Sequence, residues 1–349
     1  MTHLSLFVNK PINSRVNIAD LLKKRVLVLD GAMDTMIQRY TLTEKNFRGD
    51  RCTDSKVELK GNNDILSLTR PDIIQEIHEE YMEAGADIIE TNTFSGTSIA
   101  QADYELEDYV YDLNFESARI AKEACIKYTD QNPEKPRFVA GAIGPTNKTA
   151  SLSPDVNRPE YRAITFDQLA EAYKDQARGL IDGGVDILLI ETIFDTLNAK
   201  AALYGISELF DEIGKDLPLM ISGTITDKSG RTLSGQTLEA FLISLSHMPL
   251  LSIGLNCSFG ARDLKPYLKN IASKSPFFIS AYPNAGLPNA LGEYDQDADT
   301  MGEEVRAYLD ENLINIIGGC CGTGPAHIKR MTEIVKDYKP RFIATEHIS

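Results

Sequence analysis

Five cysteines occur among 349 residues, and two of them, Cys320 and Cys321, are adjacent in the run "IIGGCCGTGP" at 316–325. A third, Cys257, stands 63 positions earlier in "GLNCSFG". Three thiolates around an open fourth position make a zinc centre, because zinc favours tetrahedral, sulfur-rich coordination. A disulfide between neighbours would close a strained ring, so Cys320 and Cys321 read either as ligands or as packing residues. Gly318, Gly319, Gly322 and Gly324 would let the backbone turn so that both sulfurs reach one ion. The long gap to Cys257 matches no zinc-knuckle spacing, and spacing alone leaves both readings open. Cys125 falls inside a helical pattern and reads as core, and Cys52 as an ordinary thiol in a long loop. No H-x-x-x-H pair and no phosphate-loop lysine spacing occur, so a histidine metalloprotease site and a nucleotide site are unsupported.

Eight short apolar runs rich in branched residues must carry these groups: 26–29, 88–89, 138–140, 187–190, 219–221, 252–255, 277–280 and 314–317. Helix-periodic stretches separate them, the first opening at Pro71, the others at about 118–127, 166–182, 196–209, 238–245, 263–274, 301–312 and 325–338. Strands alternating with helices through about 300 residues predict an α/β fold of one domain, a (β/α)8 TIM barrel. A doubly wound open sheet is the competing arrangement. Active sites of barrels form on the loops after the strands. Asp30, Glu90, Asn92, Glu191, Asn256, Cys257, Asn284, Cys320 and Cys321 all stand at or just past a strand end. Singly, Asp30 and Glu191 are ordinary strand-end acceptors. The segments "AGADIIETNTF" and "GGVDILLIETIF" echo one another, as repeated βα units would. The charged stretch 40–70 is long for a strand-to-helix connection and reads as a solvated face. We divide the chain into an N-terminal extension with a lead-in helix (1–25), the barrel (26–338) and a C-terminal tail or linker (339–349).

With 36 basic and 51 acidic residues the formal charge is −15, which argues against nucleic acid or an anionic membrane as partner. No apolar run approaches the ~20 residues of a membrane span. The N-terminus lacks a charged segment followed by an apolar core, so a cytoplasmic location is expected. Sparse, odd-numbered cysteines fit a reducing compartment.

Taken together, "DGAM", "ETNTF", "GPTNKTASLSPDV", "IETIFDTLNAKAA", "SGTITDKSGRTLSGQT", "GLNC", "PNAGLPNALGEYD" and "GGCCGTGPAHI" resemble, in order and over about nine-tenths of the chain, the homocysteine-binding domain of cobalamin-dependent methionine synthase. The paired "GLNC…GGCCG" is shared by the wider homocysteine S-methyltransferase family, whereas "SGRTLSGQT" and "SPDVNRPEYRAITFDQL" look like the cobalamin-dependent branch. The resemblance implies a zinc ion held by Cys257, Cys320 and Cys321, with Asn284 in the fourth position when substrate is absent. It implies that Asp30 and Glu191 receive the homocysteine ammonium and that backbone groups around Gly31 and Ala32 meet its carboxylate. The implied methyl donor is methylcobalamin on another domain or a partner chain, alongside methyltetrahydrofolate-binding modules, in which case this chain is one module of a longer enzyme or a stand-alone subunit. The alternatives are a self-contained methyltransferase using betaine or S-methylmethionine, and a non-catalytic barrel with structural zinc. One position departs from the pattern: Asp34 stands where the family has glycine, and is expected to strain the loop or repel the substrate carboxylate.

Overall fold

Runs of two to nine residues form eight parallel strands: β1 (Leu27–Val28), β2 (Ile88–Glu90), β3 (Phe138–Ile143), β4 (Ile187–Ile193), β5 (Leu219–Gly223), β6 (Ser252–Gly260), β7 (Phe278–Asn284) and β8 (Ile316–Ile317). In this computed structural model, which describes residues 16–343, they pair in the order β1-β8-β7-β6-β5-β4-β3-β2. A parallel bridge between Leu29 and Ile88 joins the two ends of the sheet. The result is a (β/α)8 TIM barrel in one domain, as expected, and not an open sheet.

Side chains alternate across a strand with period two. Leu27, Ile88, Ile187, Leu189, Met220, Phe278 and Ile316 therefore fill the barrel interior, whereas Val28, Ile89, Val139, Leu188 and Ile221 pack outward beneath the helices. The inward series does not stop where the apolar residues stop. It continues upward to Glu90 on β2, Glu191 on β4, Asn256 on β6 and Tyr282 and Asn284 on β7, so polar side chains roof an apolar core.

The helices that cover the barrel begin and end on recognisable signals. Pro71–Ala84 opens on proline and closes at Gly85 in the left-handed region (φ 106°). Phe166–Gly183 has a capping box between Thr165 and Gln168 and closes at Gly184. Asp195, Thr237 and Asp297 cap the helices that follow them. The short helix Ile18–Leu22, within the expected N-terminal extension, places Ile18 and Leu22 against the lower barrel interior. The remainder of that extension, residues 1–15, and residues 344–349 of the tail lie outside the described residues.

Four expectations are corrected. Six strands run further than the apolar pattern, to Glu90, Ile143, Ile193, Gly223, Gly260 and Asn284, because ladder pairing around the barrel holds the added residues extended. The helix expected over 118–127 is Val110–Gln131; buried polar residues such as Asn114 and Ser117 on its packed face mask the period. The stretch 40–70 is more than a solvated face: charged residues such as Arg51, Lys56 and Glu58 are exposed, but it also buries Phe47, Cys52, Leu59, Ile65 and Leu66, and Glu44 accepts from the amides of Leu59 (3.0 Å) and Lys60 (2.7 Å) and lies 2.6 Å from Arg48. Beyond Tyr338, Arg341 is bonded to the carbonyls of Ala272, Ser275 and Phe277 (2.7–3.0 Å), which fastens the start of the tail across the barrel. Among the described residues no helix is long and apolar enough to cross a membrane.

Candidate metal centre and substrate pocket

The backbone strain needed to gather the cysteines falls mainly on two non-glycine residues of β6. Cys257 and Ser258 both lie in the left-handed region (φ 60° and 61°), and the register with β7 slips between Asn256 and Gly260. Such conformations cost about 1–3 kcal/mol each and persist only where the surroundings enforce them. In the facing turn, Gly322 alone among the four glycines has a positive φ (79°), and a Cβ there would stand 2.1 Å from Tyr294 Cβ. Gly324 needs no special freedom: its φ is −138° and a Cβ would meet only Met36 Sδ at 3.7 Å. The turn is fixed by Cys320 N donating to Pro283 O (2.9 Å), Ala285 N to Cys321 O (2.9 Å) and Gly322 N to Thr35 Oγ1 (3.1 Å).

As a result the sulfurs of Cys257, Cys320 and Cys321 lie within 4.8 Å of one another, with Cys257 and Cys321 3.9 Å apart. This set can hold a metal ion. Hydrogen bonds from the Cys320 and Cys321 thiols push Cys257 well below the usual thiol range, and the Cys257 sulfur raises both partners. One thiolate thus shares two protons that a divalent cation would displace. Asn284, the last residue of β7, also reaches Cys257, and its buried Oδ1 has no hydrogen-bond partner. Three soft sulfurs and one orphaned oxygen are a donor set that fits zinc. Asn256 supports the arrangement from below, accepting from Ser222 Oγ (2.6 Å) and Thr192 N (3.1 Å) while its Nδ2 points at Cys320 Sγ (4.0 Å).

A cavity of about 320 Å³ opens beside the cysteines. Asp30, Gly31, Ala32, Asp34 and Glu191 all line it, together with Glu90, a strand-end residue given no role above, and Asn63, Asp64 and Tyr282, which the sequence reading did not single out. Asp30 Oδ2 accepts from Glu90 N (3.0 Å), and the Glu90 and Glu191 carboxyls are hydrogen-bonded to each other. Burial raises all three above the carboxylate range, reinforced by Glu191 at Asp30, by Asp30 at Glu90 and by Glu90 at Glu191. Mutually raised carboxyls with no cation among them are poised to take one. The Glu-Thr echo at the ends of β2 and β4 was the signal that Glu90 belongs with Glu191. No signal marked Asn63 and Asp64, which arrive from the long 40–70 stretch.

Asp34 does not strain the loop. It lies in the first turn of the helix Met33–Gln38, outside the positive-φ region, and accepts from Asn63 Nδ2 (2.7 Å). It does face the cavity, and its charge acts on Asp64 and Glu191. The Ala32 amide is already donated to Thr323 Oγ1 (3.2 Å), and the Ala32 carbonyl accepts from Tyr81 (3.0 Å).

Burial, with Asp34 adding to it, pushes the Asp64 carboxyl up to about 7. A carboxyl whose folded value exceeds the unfolded ~3.9 stabilises fully below that lower value, and the contribution disappears as pH rises through about 7. We therefore expect Asp64→Asn to be more stable than wild type at pH 8, by up to about 4 kcal/mol, and to melt at a higher temperature, with the difference vanishing by about pH 4. The amide can still accept from Ser95 N, now 3.3 Å away. Calorimetric melting across that pH range checks it, and equal melting at pH 8 would refute it.

The fold and the cysteine cluster define a metal-capable (β/α)8 barrel with a thiol centre on its C-terminal face. The chain matches the homocysteine S-methyltransferase family model over residues 27–335 and belongs to that family of methyltransferases. Among solved structures it is similar to the homocysteine methyltransferase MmuM from Escherichia coli. The metallated form is 23% identical with a TM-score of 0.69, the match covering 90% of this chain and 98% of that one. The oxidized form is 22% identical with a TM-score of 0.70, covering 93% and 99%. These likenesses are of fold.

Proposed function

We propose that the chain is a zinc-dependent homocysteine S-methyltransferase module that activates homocysteine to accept a methyl group from methylcobalamin carried by another domain or chain. The observation that carries this reading is the placement of three converging cysteine sulfurs at one side of a cavity also lined by three mutually raised carboxyls. A zinc ion held by Cys257, Cys320 and Cys321 would supply Lewis acidity that keeps a thiol of ordinary pKa ~8.5 deprotonated at neutral pH. Asp30, Glu90 and Glu191 bind the ammonium at the other end of the substrate, which fixes where its sulfur lies. Asn256 and the turn at 320–322 hold the cysteines in place. Tyr282 and the apolar interior beneath it close the floor against water.

The loops at the mouth of the barrel favour a donor carried by another domain. The segments that resemble the cobalamin-dependent branch form the loops after β3 and β5, and both are tied to the start of the helix Thr196–Ile213: Ser151 N donates to Asp195 (3.1 Å), Ala150 N to Asn198 (2.9 Å), and Thr196 Oγ1 to Gln236. Exposed Val156, Leu233, Leu287 and Leu291 stand on loops of the same face, where exposed apolar side chains favour association with another domain.

The test supplies zinc-loaded protein and L-homocysteine with free methylcobalamin, S-methylmethionine or betaine in separate reactions, with methionine measured by mass spectrometry. Methionine from methylcobalamin alone is expected. Turnover with either small donor and no corrinoid would overturn the donor assignment, and no methionine from any of them would overturn the activity.

A further inference from the structure

We infer that Thr323 is a positioning residue for the head of the substrate. It clamps the loop after β1 to the cysteine turn and so aims the Gly31 and Met33 amides at the α-carboxylate of the amino-acid thiol. The inference rests on the function proposed above and concerns the same pocket. Thr323 stands two residues after Cys321 and is fully buried. Its hydroxyl has one proton, which goes to Cys320 O (2.6 Å), and its oxygen accepts the Ala32 amide (3.2 Å). Tyr81, also buried, closes the clamp from the helix Pro71–Ala84, its hydroxyl donating between Ala32 O (3.0 Å) and Thr323 O (3.3 Å). Packing makes the same join. A Cβ on Gly31 would stand 2.8 Å from Thr323 Oγ1, and one on Gly319 would run into the same side chain. Glycine in both loops leaves the space that this threonine fills.

What the clamp does to the neighbouring amides follows from the backbone. Ala32 is extended (φ −66°, ψ 112°), so successive amides turn to different sides. The Ala32 amide turns back to Thr323, while Gly31 and Met33 line the cavity, and their amides have no acceptor among the described residues. No lysine, arginine or histidine lines the cavity, so neutral donors receive a carboxylate there. The substrate's ammonium and carboxylate leave one carbon, and the Asp30 carboxyl and the Gly31 amide leave neighbouring residues, so the two pairs match. The loops are also joined elsewhere. The Gly319 amide donates to Asp30 O (3.0 Å), Gly322 N to Thr35 Oγ1 (3.1 Å) and Cys320 N to Pro283 O (2.9 Å). Losing the Thr323 hydroxyl therefore frees residues 31–33 and leaves the sulfurs and the Asp30 carboxyl where they are.

The experiment compares zinc-loaded wild type, Thr323→Val and Thr323→Ser by calorimetric titration with two thiols: L-homocysteine and 3-aminopropanethiol, which keeps the chain and ammonium but lacks the carboxylate. Valine keeps the shape of the side chain and loses the hydroxyl, and should weaken the Kd for homocysteine about tenfold to hundredfold, the worth of hydrogen bonds to a charged group. The Kd for 3-aminopropanethiol and the zinc content by elemental analysis should not change. Serine keeps the hydroxyl and should restore homocysteine binding. Thr323→Ala asks the same question without the bulk, should valine not fit between the glycines. Equal weakening for both thiols, or loss of zinc, would mean that Thr323 supports the whole site. A serine variant as weak as valine would put the effect in the methyl group, and no weakening would mean that the amides hold without the clamp. Each of these overturns the proposal. Wild type that holds zinc yet binds neither thiol would overturn the functional reading, and the proposal with it.

Discussion

Replacing Cys320 by alanine removes the bound zinc and lowers kcat/KM for homocysteine by about 10³-fold or more, while the barrel still folds. The magnitude has two parts. At pH 7 a free thiol of pKa ~8.5 is only about 3% ionised, which forfeits a factor of about 30. Loss of the anchor that places the sulfur costs on the order of 10² more, as small misplacements of reacting groups do. The fold survives because the cysteines cap the top of the strands rather than build the core; the interior is completed below them by Leu189, Met220, Phe278 and Ile316. Elemental analysis of wild type and variant, with a melting curve and a methionine assay on each, checks all three parts. Full zinc in the variant would refute the ligand assignment. A variant that binds no zinc and also fails to fold would make the ion structural, because structural zinc supplies folding energy outright.

Glu191→Gln raises KM for homocysteine by about 30–150-fold and leaves kcat within a few-fold of wild type. On the proposed function, the substitution deletes one charge facing the substrate ammonium, a loss of about 2–3 kcal/mol for a buried charge pair. The carboxamide can still hydrogen-bond Glu90, so the neighbours keep their places. The reacting sulfur lies at the other end of the substrate, so the lost interaction is common to ground and transition states and appears in KM. Steady-state kinetics at saturating methyl donor distinguishes the outcomes. A fall in kcat with unchanged KM would place Glu191 near the reacting atoms instead of at the ammonium.

Much of this was legible without coordinates. Runs such as 187–190 and 252–255, separated by helix-periodic segments with Pro, Thr, Asp and Gly at their ends, determine a parallel sheet covered by helices, because branched apolar residues buried on both faces have few other ways to pair, while closure into a barrel is decided by the pairing of Leu29 with Ile88. Once the barrel is granted, residues at strand ends share one face, and Asp30, Glu191, Cys257, Asn284, Cys320 and Cys321 fall together by topology. Local signals stop there. That Cys257 rather than the glycine-rich turn carries the strained backbone depends on a register slip between β6 and β7, and register is a property of two strands that neither encodes alone. That the 40–70 stretch packs and sends Asn63 and Asp64 into the cavity depends on Phe47, Leu59, Ile65 and Leu66 joining the core, which their spacing in sequence does not announce. That Asp34 is unstrained depends on a helix turn that the family's glycine at that position did not suggest. The chain's own residue types thus determined the fold and the chemistry of the centre. Which carboxyls, amides and hydroxyls are left without partners was decided only in three dimensions, because a polar group's partner is set by tertiary packing and not by its neighbours in sequence.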